Sequence, residues 1–171
     1  MPEVLFISSY PPRECGIATY SQDLLKALKN KYFNSFLLKV CALEYEDTNY
    51  KYPDEVKYIM NTSGKKGYED LSRDINIDKN ITCVVVQHEF GFFKQQEEAF
   101  LKFLNDLSKP VVIVFHTVLP RPDKELKAQI RRIAAACRSI IVMTHHSAHI
   151  LSDEYGIQLQ KISVIAHGTH L

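Results

Sequence analysis

Short apolar runs without alternation recur along this chain and constrain its fold more than any other feature. Cys83-Val84-Val85-Val86 and Val111–Phe115 are each apolar at every position. Such a run is typical of a parallel strand that is buried on both faces of a sheet. Between these two runs, the segment 100–107 has apolar residues at i, i+3, i+4 and i+7, which predicts a helix with one buried face.

The same alternation of strand and helix patterns extends over the whole sequence. Strands are predicted at Glu3–Ser8, Phe36–Ala42, Val56–Met60, Thr82–Gln87, Val111–Phe115, Ile140–Met143 and Ile162–Ile165. Helices are predicted from Ile17 to Leu28, over 68–75, 100–107 and 126–137, and from His146 to Tyr155. The pattern predicts an α/β fold: a doubly wound, mostly parallel Rossmann-like sheet of about seven strands with helices on both faces. A chain of 171 residues suits a single domain.

Charge and hydropathy exclude several classes of protein. The net charge is +1, so no strong field attracts nucleic acid, and we expect no nucleic-acid partner. No apolar run approaches the ~20 residues that cross a bilayer. The chain enters its first strand directly at Met1-Pro2-Glu3-Val4, without a cleavable leader. The four cysteines lie far apart and fit a reducing compartment. We therefore expect a cytoplasmic protein, with at most peripheral contact at the inner face of a membrane.

The loop after the first strand has the features of an anion site. The segment from Ser8 to Cys15 leads into Gly16, and the helical pattern begins at Ile17. The backbone N–H groups at the start of a helix can point at an anion. In an open α/β sheet, loops at the carboxyl ends of the strands form the ligand crevice.

Histidines follow four of the predicted strands. Because the carboxyl ends of parallel strands share one edge, these residues are expected to lie together. A neutral imidazole can donate to or accept from sugar hydroxyls, and a charged one can hold a phosphate. The strand-end residues are His88 and Glu89, His116 and Thr117, Thr144 to His146, and His167 and Gly168.

Other chemistries have weaker support. His145 and His149 are one helical turn apart, but the zinc pattern H-E-x-x-H is missing after His88. The sequence has no G-x-G-x-x-G, no P-loop and no G-x-S-x-G. Ser147 is predicted to cap the helix that follows it. Phe90, Phe92 and Phe93 are either core residues or an apolar rim for a sugar ring or a lipid chain.

In their order and spacing, six segments resemble the N-terminal domain of retaining glycosyltransferases of family 4, which have the GT-B fold of two Rossmann-like domains facing a cleft. The resemblance covers essentially the whole chain. The matching segments are Cys15–Tyr20, Leu24–Leu28, Val85–Glu89, Val114–Thr117, Ile141–Thr144 with Ser147, and Ile162–Gly168.

The resemblance implies a role for each strand end. Gly16, Ile17 and Thr144 would bind the nucleotide diphosphate sugar donor, and His116 would be the catalytic residue at the sugar. The acceptor, a carbohydrate or a lipid-linked hydroxyl, would be bound by His88, Glu89 and Thr117. His167 and Gly168 match the hinge that leads into the second domain. No metal and no other cofactor is implied.

Two departures from the family pattern affect these expectations. Many relatives have two glycines in the first loop, and Cys15 replaces the first of them here. The family's nucleotide-binding C-terminal domain is absent from these 171 residues, so we expect this chain alone to be inactive. Two alternatives stay open: another sugar-nucleotide enzyme of similar fold, such as an epimerase or a phosphorylase, or a non-catalytic binding or scaffold module.

Overall fold

One sheet of seven parallel strands forms the centre of the protein in a computed structural model, which describes residues 1–46 and 48–168. The order of the strands is β3-β2-β1-β4-β5-β6-β7. Every neighbouring pair is parallel, which confirms the predicted architecture. The strands are β1 (Glu3–Ser8), β2 (Leu37–Glu44), β3 (Val56–Asn61), β4 (Ile81–His88), β5 (Val111–Phe115), β6 (Ser139–Val142) and β7 (Ile162–Val164).

Within the described residues, five α-helices connect these strands: α1 (Gly16–Lys31), α2 (Lys65–Ile77), α3 (Glu97–Asp106), α4 (Lys124–Ala136) and α5 (His145–Asp153). Three of them, α1, α4 and α5, begin after a residue whose side chain caps the helix. Asp123 accepts from the Leu126 amide ahead of α4, and Thr144 accepts from the Ser147 amide ahead of α5. The prediction that Ser147 caps α5 is therefore wrong: the helix starts two residues earlier, and Ser147 is the donor. No helix in the described ranges is long and apolar enough to cross a membrane.

The helices lie on both faces of the sheet, but unequally. Leu25 of α1 packs with Phe6, Val40 and Ala42 on one face. The buried residues of α2 to α5 pack together on the other face, with the alternate strand residues such as Ile7. Successive strand residues point to opposite faces of the sheet. Two consecutive residues at a strand end therefore face different helices.

β2 is longer than the sequence predicts. Leu43 and Glu44 pair with Met60 and Asn61 of β3, and the buried Glu44 carboxylate accepts from the Tyr52 hydroxyl. β2 therefore extends as far as β3 pairs with it, although Glu44 is a polar residue. The polar segment between β2 and β3 contains no helix among its described residues, as predicted.

Candidate functional site

The loop before α1 leaves the helix start open at the carboxyl edge of the sheet. The Cys15 thiol caps α1 by accepting from the Ala18 amide at 3.4 Å, and it lies 3.0 Å from the Ser9 hydroxyl. As the first amides of the helix, those of Gly16 and Ile17 have no acceptor within it. A Cβ added at Gly16 would meet no atom within 4 Å. The helix start can therefore receive an anion without displacing protein atoms.

Tyr20 joins two of the strand ends that the sequence predicted to converge. Its ring lies edge-on to the His116 ring, with a centroid distance of 5.2 Å, and it tilts against the His167 ring at 4.8 Å. Helical periodicity alone places Tyr20 on the sheet-facing side of α1, so sequence reasoning did not identify it as a site residue. Burial raises the pKa of its hydroxyl, which keeps it a neutral hydrogen-bonding group.

An open cavity of about 590 Å³ adjoins this ring cluster. It lies between the outer side of α1 and the segment that follows β7. Gly16 and Tyr20 line it from the helix, and Ile165, His167 and Gly168 line it from the segment. The His167 Nδ1–H donates to the Gly168 carbonyl at 2.9 Å. The predicted donor loop and the predicted hinge thus face one space.

His116 follows β5 and is half-buried. Its Nε2 lies 2.6 Å from Oε1 of Gln87, and its backbone amide donates to the His88 carbonyl at 3.1 Å. Burial lowers the pKa of the imidazole, and the nearby His167 lowers it further. The Glu89 carboxylate acts in the opposite direction and raises that pKa. The lowered pKa favours the neutral form of His116, which can form hydrogen bonds without carrying a positive charge.

His88 lies inside the protein and not on the surface of the site. Its side chain is only 2% exposed. Burial, together with the charge of His116, lowers its pKa to about 3. Four aromatic rings surround the His88 ring, with centroid distances of 5.0 to 5.8 Å: those of Phe90, Phe93, Phe100 and Phe115. The imidazole therefore lies on the face of the sheet opposite α1, where it borders a separate cavity of about 260 Å³.

Glu89 and Thr117, the other two residues expected on the acceptor side, are joined directly. The Thr117 hydroxyl donates to Oε2 of Glu89 at 2.7 Å, and the Phe90 amide donates to Oε1 at 2.9 Å. Both residues are partly exposed. The carboxylate is therefore held in one orientation beside His116, at the ends of two adjacent strands.

The three phenylalanines after β4 all belong to or pack against the core, which is one of the two interpretations that the sequence left open. Phe93 is a core residue: it is 2% exposed and stacks on Phe100 at 3.8 Å. Phe92 is half-buried, and the guanidinium of Arg13 lies 5.8 Å from its ring centre. That contact places a cationic side chain from the β1–α1 loop beside the β4 loop.

The start of α5 contributes one more predicted residue. Thr144 is exposed, and its hydroxyl lies 2.9 Å from the Ser147 hydroxyl. The two histidines weighed as metal ligands, His145 and His149, are exposed on the same helix. Residues 1–46 and 48–168 contain no group of three or more His, Cys, Asp or Glu arranged to hold a metal ion.

Comparison with known proteins gives the chain a family. The family model described as Glycosyltransferase Family 4 matches residues 15–171. No curated protein matches the chain.

Three solved structures share the fold. An alpha-glucosyltransferase in complex with UDP and a 13-mer DNA with a central A:G mismatch matches with a TM-score of 0.54 and 13% identity, over 84% of this chain and 37% of its own. An alpha-glucosyltransferase in complex with UDP and a 13-mer DNA containing an HMU base matches with a TM-score of 0.59 and 11% identity, over 97% of this chain and 42% of its own. A UDP-N-acetylglucosamine 2-epimerase matches with a TM-score of 0.58 and 11% identity, over 95% of this chain and 47% of its own. This chain spans less than half the length of each.

Proposed function

Because the chain belongs to glycosyltransferase family 4, we propose that it supplies the N-terminal, acceptor-side domain of a two-domain GT-B enzyme. That enzyme transfers a sugar from a nucleotide diphosphate sugar to a hydroxyl acceptor, with retention at the anomeric carbon. The observation that supports this proposal is the convergence of the open start of α1 and the Tyr20, His116 and His167 rings at the carboxyl edge of the sheet.

The donor diphosphate is proposed to lie at the start of α1. The amides of Gly16 and Ile17 would donate to it, and the dipole of a sixteen-residue helix favours negative charge there. The exposed start of α5 at Thr144 would offer a second positive helix end. Donors fixed in place before the reaction stabilise the charge that develops on a leaving diphosphate.

His116 is proposed to contact the donor sugar at the reaction centre. A neutral imidazole can accept a hydrogen bond from a sugar hydroxyl and does not attract the diphosphate away from the helix start. It can also share the movement of a proton between acceptor and leaving group.

The acceptor hydroxyl is proposed to bind at Glu89 and Thr117. Each carboxylate oxygen of Glu89 has one protein donor and retains capacity for a second. Since His88 is enclosed by aromatic rings, we assign it no contact with the acceptor.

The second domain is part of the proposal. The three solved structures are more than twice as long as this chain, and in family 4 the resemblance assigns most of the nucleotide to the C-terminal domain. His167 and Gly168 would form the hinge between the domains. No metal is part of the proposal: the amides at the start of α1 would donate hydrogen bonds to the diphosphate, and Arg13 of the same loop would supply a positive charge.

The test is an assay of the two-domain enzyme with a panel of nucleotide diphosphate sugars and hydroxyl acceptors, in the presence of EDTA. We expect release of the nucleoside diphosphate and a product with the donor's anomeric configuration, read by NMR. An inverted product contradicts retention, and activity that EDTA abolishes contradicts the metal-free mechanism.

The likeness to an epimerase makes a second function testable in the same assay. An epimerase would change the sugar of the nucleotide without any acceptor. A phosphorylase would instead form a sugar 1-phosphate when inorganic phosphate is supplied. Either product would replace the proposed transfer.

Replacing Gly16 with Ala is expected to weaken donor binding and leave the fold intact. The added methyl group meets no protein atom, but it would occupy the space that a diphosphate needs close to the backbone. In the two-domain enzyme, calorimetry should show at least a tenfold weaker Kd for the donor, ~1.4 kcal/mol, with an unchanged melting temperature.

Gly67→Ala is the contrasting variant, because its Cβ would lie 2.4 Å from the Asn61 carbonyl oxygen. That change should lower the melting temperature while leaving the donor Kd of the folded fraction unaffected. If Gly16→Ala binds the donor as tightly as the native enzyme, the diphosphate does not lie at the start of α1.

A further inference from the structure

Gln87 is a fully buried amide directly beside His116. It is 0% exposed and lies one residue before the end of β4. Val85 packs with the α1 side of the sheet, whereas Val84 and Val86 pack with the other four helices. Gln87 therefore belongs to the α1 face, where its cross-strand neighbour on β5 is Val114. A buried amide among apolar residues costs stability unless its polar atoms are bonded.

The bond between Gln87 and His116 determines which ring nitrogen is protonated. Oε1 of Gln87 lies 2.6 Å from Nε2 of His116. With the amide oxygen as the atom that faces the ring, Nε2 is the protonated nitrogen, because a carbonyl oxygen can only accept. A neutral imidazole has one N–H, and Nδ1 therefore keeps its lone pair. The hydrogen bond made by one ring nitrogen thus fixes the state of the other.

The hydrogen bonds of the Gln87 amide do not by themselves account for an amide at this buried position. Its Nε2 is buried and has no hydrogen-bond partner among the described residues. An unpaired buried donor costs free energy, and an apolar residue of the same shape avoids that cost. A residue that destabilises the fold yet orients a neighbouring site residue is typical of a functional requirement.

The neutral charge of the amide matters as well. Among the described residues, the titratable groups that act on His116 are Tyr20 from α1, Glu89 from the end of β4 and His167 after β7, and His88 interacts with it electrostatically from the other face of the sheet. Of these, only Glu89 favours the imidazolium. A carboxylate in place of the Gln87 amide would add a second, fully buried negative charge and stabilise the charged ring.

We propose that Gln87 is a positioning residue that holds His116 in the Nε2–H tautomer, so that Nδ1 accepts a hydrogen bond from a hydroxyl of the bound sugar. The role of the sugar rests on the function proposed above, but the tautomer does not. Gln87 itself touches no substrate and acts only through His116.

The tautomer can be read directly on the chain labelled with ¹⁵N-histidine, by two-bond ¹H–¹⁵N correlation NMR. We expect His116 to show a protonated Nε2 and an unprotonated Nδ1. In Gln87→Met the ring should show a mixture of tautomers, with a melting temperature within about 4 °C of the native value. In Gln87→Glu the pKa of His116 should rise by more than one unit.

The kinetic consequence is measured in the two-domain enzyme. Gln87→Met should lower kcat by at least about tenfold, with little change in the KM for the acceptor. Gln87→Glu should move the pH profile of kcat in the direction of the higher imidazole pKa. Gln160→Met, at an exposed glutamine after α5, is the matched control and should leave both tautomer and kcat unchanged.

Two results overturn the proposal, and they differ from those that overturn the proposed function. A native His116 with a protonated Nδ1, or a tautomer that Gln87→Met does not alter, removes Gln87 as the positioning residue whether or not the enzyme transfers sugar. If the tautomer behaves as expected but no transfer occurs with any donor, the proposed function fails and the positioning of the ring stands.

Discussion

His116→Ala in the two-domain enzyme is expected to lower kcat by about 100-fold or more, the range in which a positioned acid, base or hydrogen-bonding group contributes. The imidazole is half-buried and is fixed by Gln87 at 2.6 Å and by the edge of Tyr20. Its removal takes away a preoriented group that water cannot replace with the same geometry. Steady-state kinetics with the best donor and acceptor pair measures the change.

The matched control is His149→Ala, which removes an exposed histidine of α5 and should leave kcat unchanged. The melting temperature of His149→Ala should stay close to the native value, whereas His116→Ala leaves the buried Gln87 oxygen unpaired and should melt at a lower temperature, so kcat is compared well below both transitions. A loss of less than about tenfold for His116→Ala, ~1.4 kcal/mol in the barrier, would exclude His116 from the chemistry.

Acid is expected to destabilise the protein through His88. The pKa of the folded side chain is about 3, against about 6.5 in an unfolded chain. Between these values the unfolded state binds more protons, so the free energy of unfolding falls as the pH drops below about 6.5. At pH 4.5 this one residue should account for about 2–3 kcal/mol of lost stability, at ~1.4 kcal/mol per pH unit.

The comparison that isolates this effect is His88→Leu, which fills a similar volume with a side chain that cannot ionise. Urea denaturation from pH 4.5 to 8 should give a flatter curve of unfolding free energy against pH for this variant. His149→Leu, at the exposed position, should reproduce the native curve. Parallel native and His88→Leu curves would show that His88 is not held neutral in the aromatic surroundings seen here.

The strand and helix pattern was readable from the sequence because burial leaves a periodic signal. Fully apolar β4 and β5 segments and the helical periods between them predict parallel strands whose carboxyl ends share one edge. The predicted ends of the strands and helices were less accurate than their order. β2 continues to Glu44 because β3 pairs with it, and Thr144, not Ser147, caps α5 because it is the last extended residue before the helix begins at His145.

The site was only partly predictable. The sequence marked Cys15 only as the replacement of a family glycine, and the structure shows its thiol as the cap of α1. Tyr20 and Gln87 lie in segments that resemble the family, but neither was assigned a role, since one fits an amphipathic helix and the other stands at the end of an apolar strand. Their roles depend on rings and strands that are distant in the chain and meet only after folding.

The sequence by itself determined that the loops bearing Gly16, His116 and His167 meet at one edge of a parallel sheet, because apolar periodicity encodes the direction in which each element is buried. It could not distinguish His88 from His116, since both are histidines at the ends of adjacent strands. Only the tertiary structure decided that His88 enters the aromatic core while His116 faces α1. The physical reason is that alternate strand residues point to opposite faces, and the helices that cover each face decide whether an imidazole is enclosed or left open to a ligand.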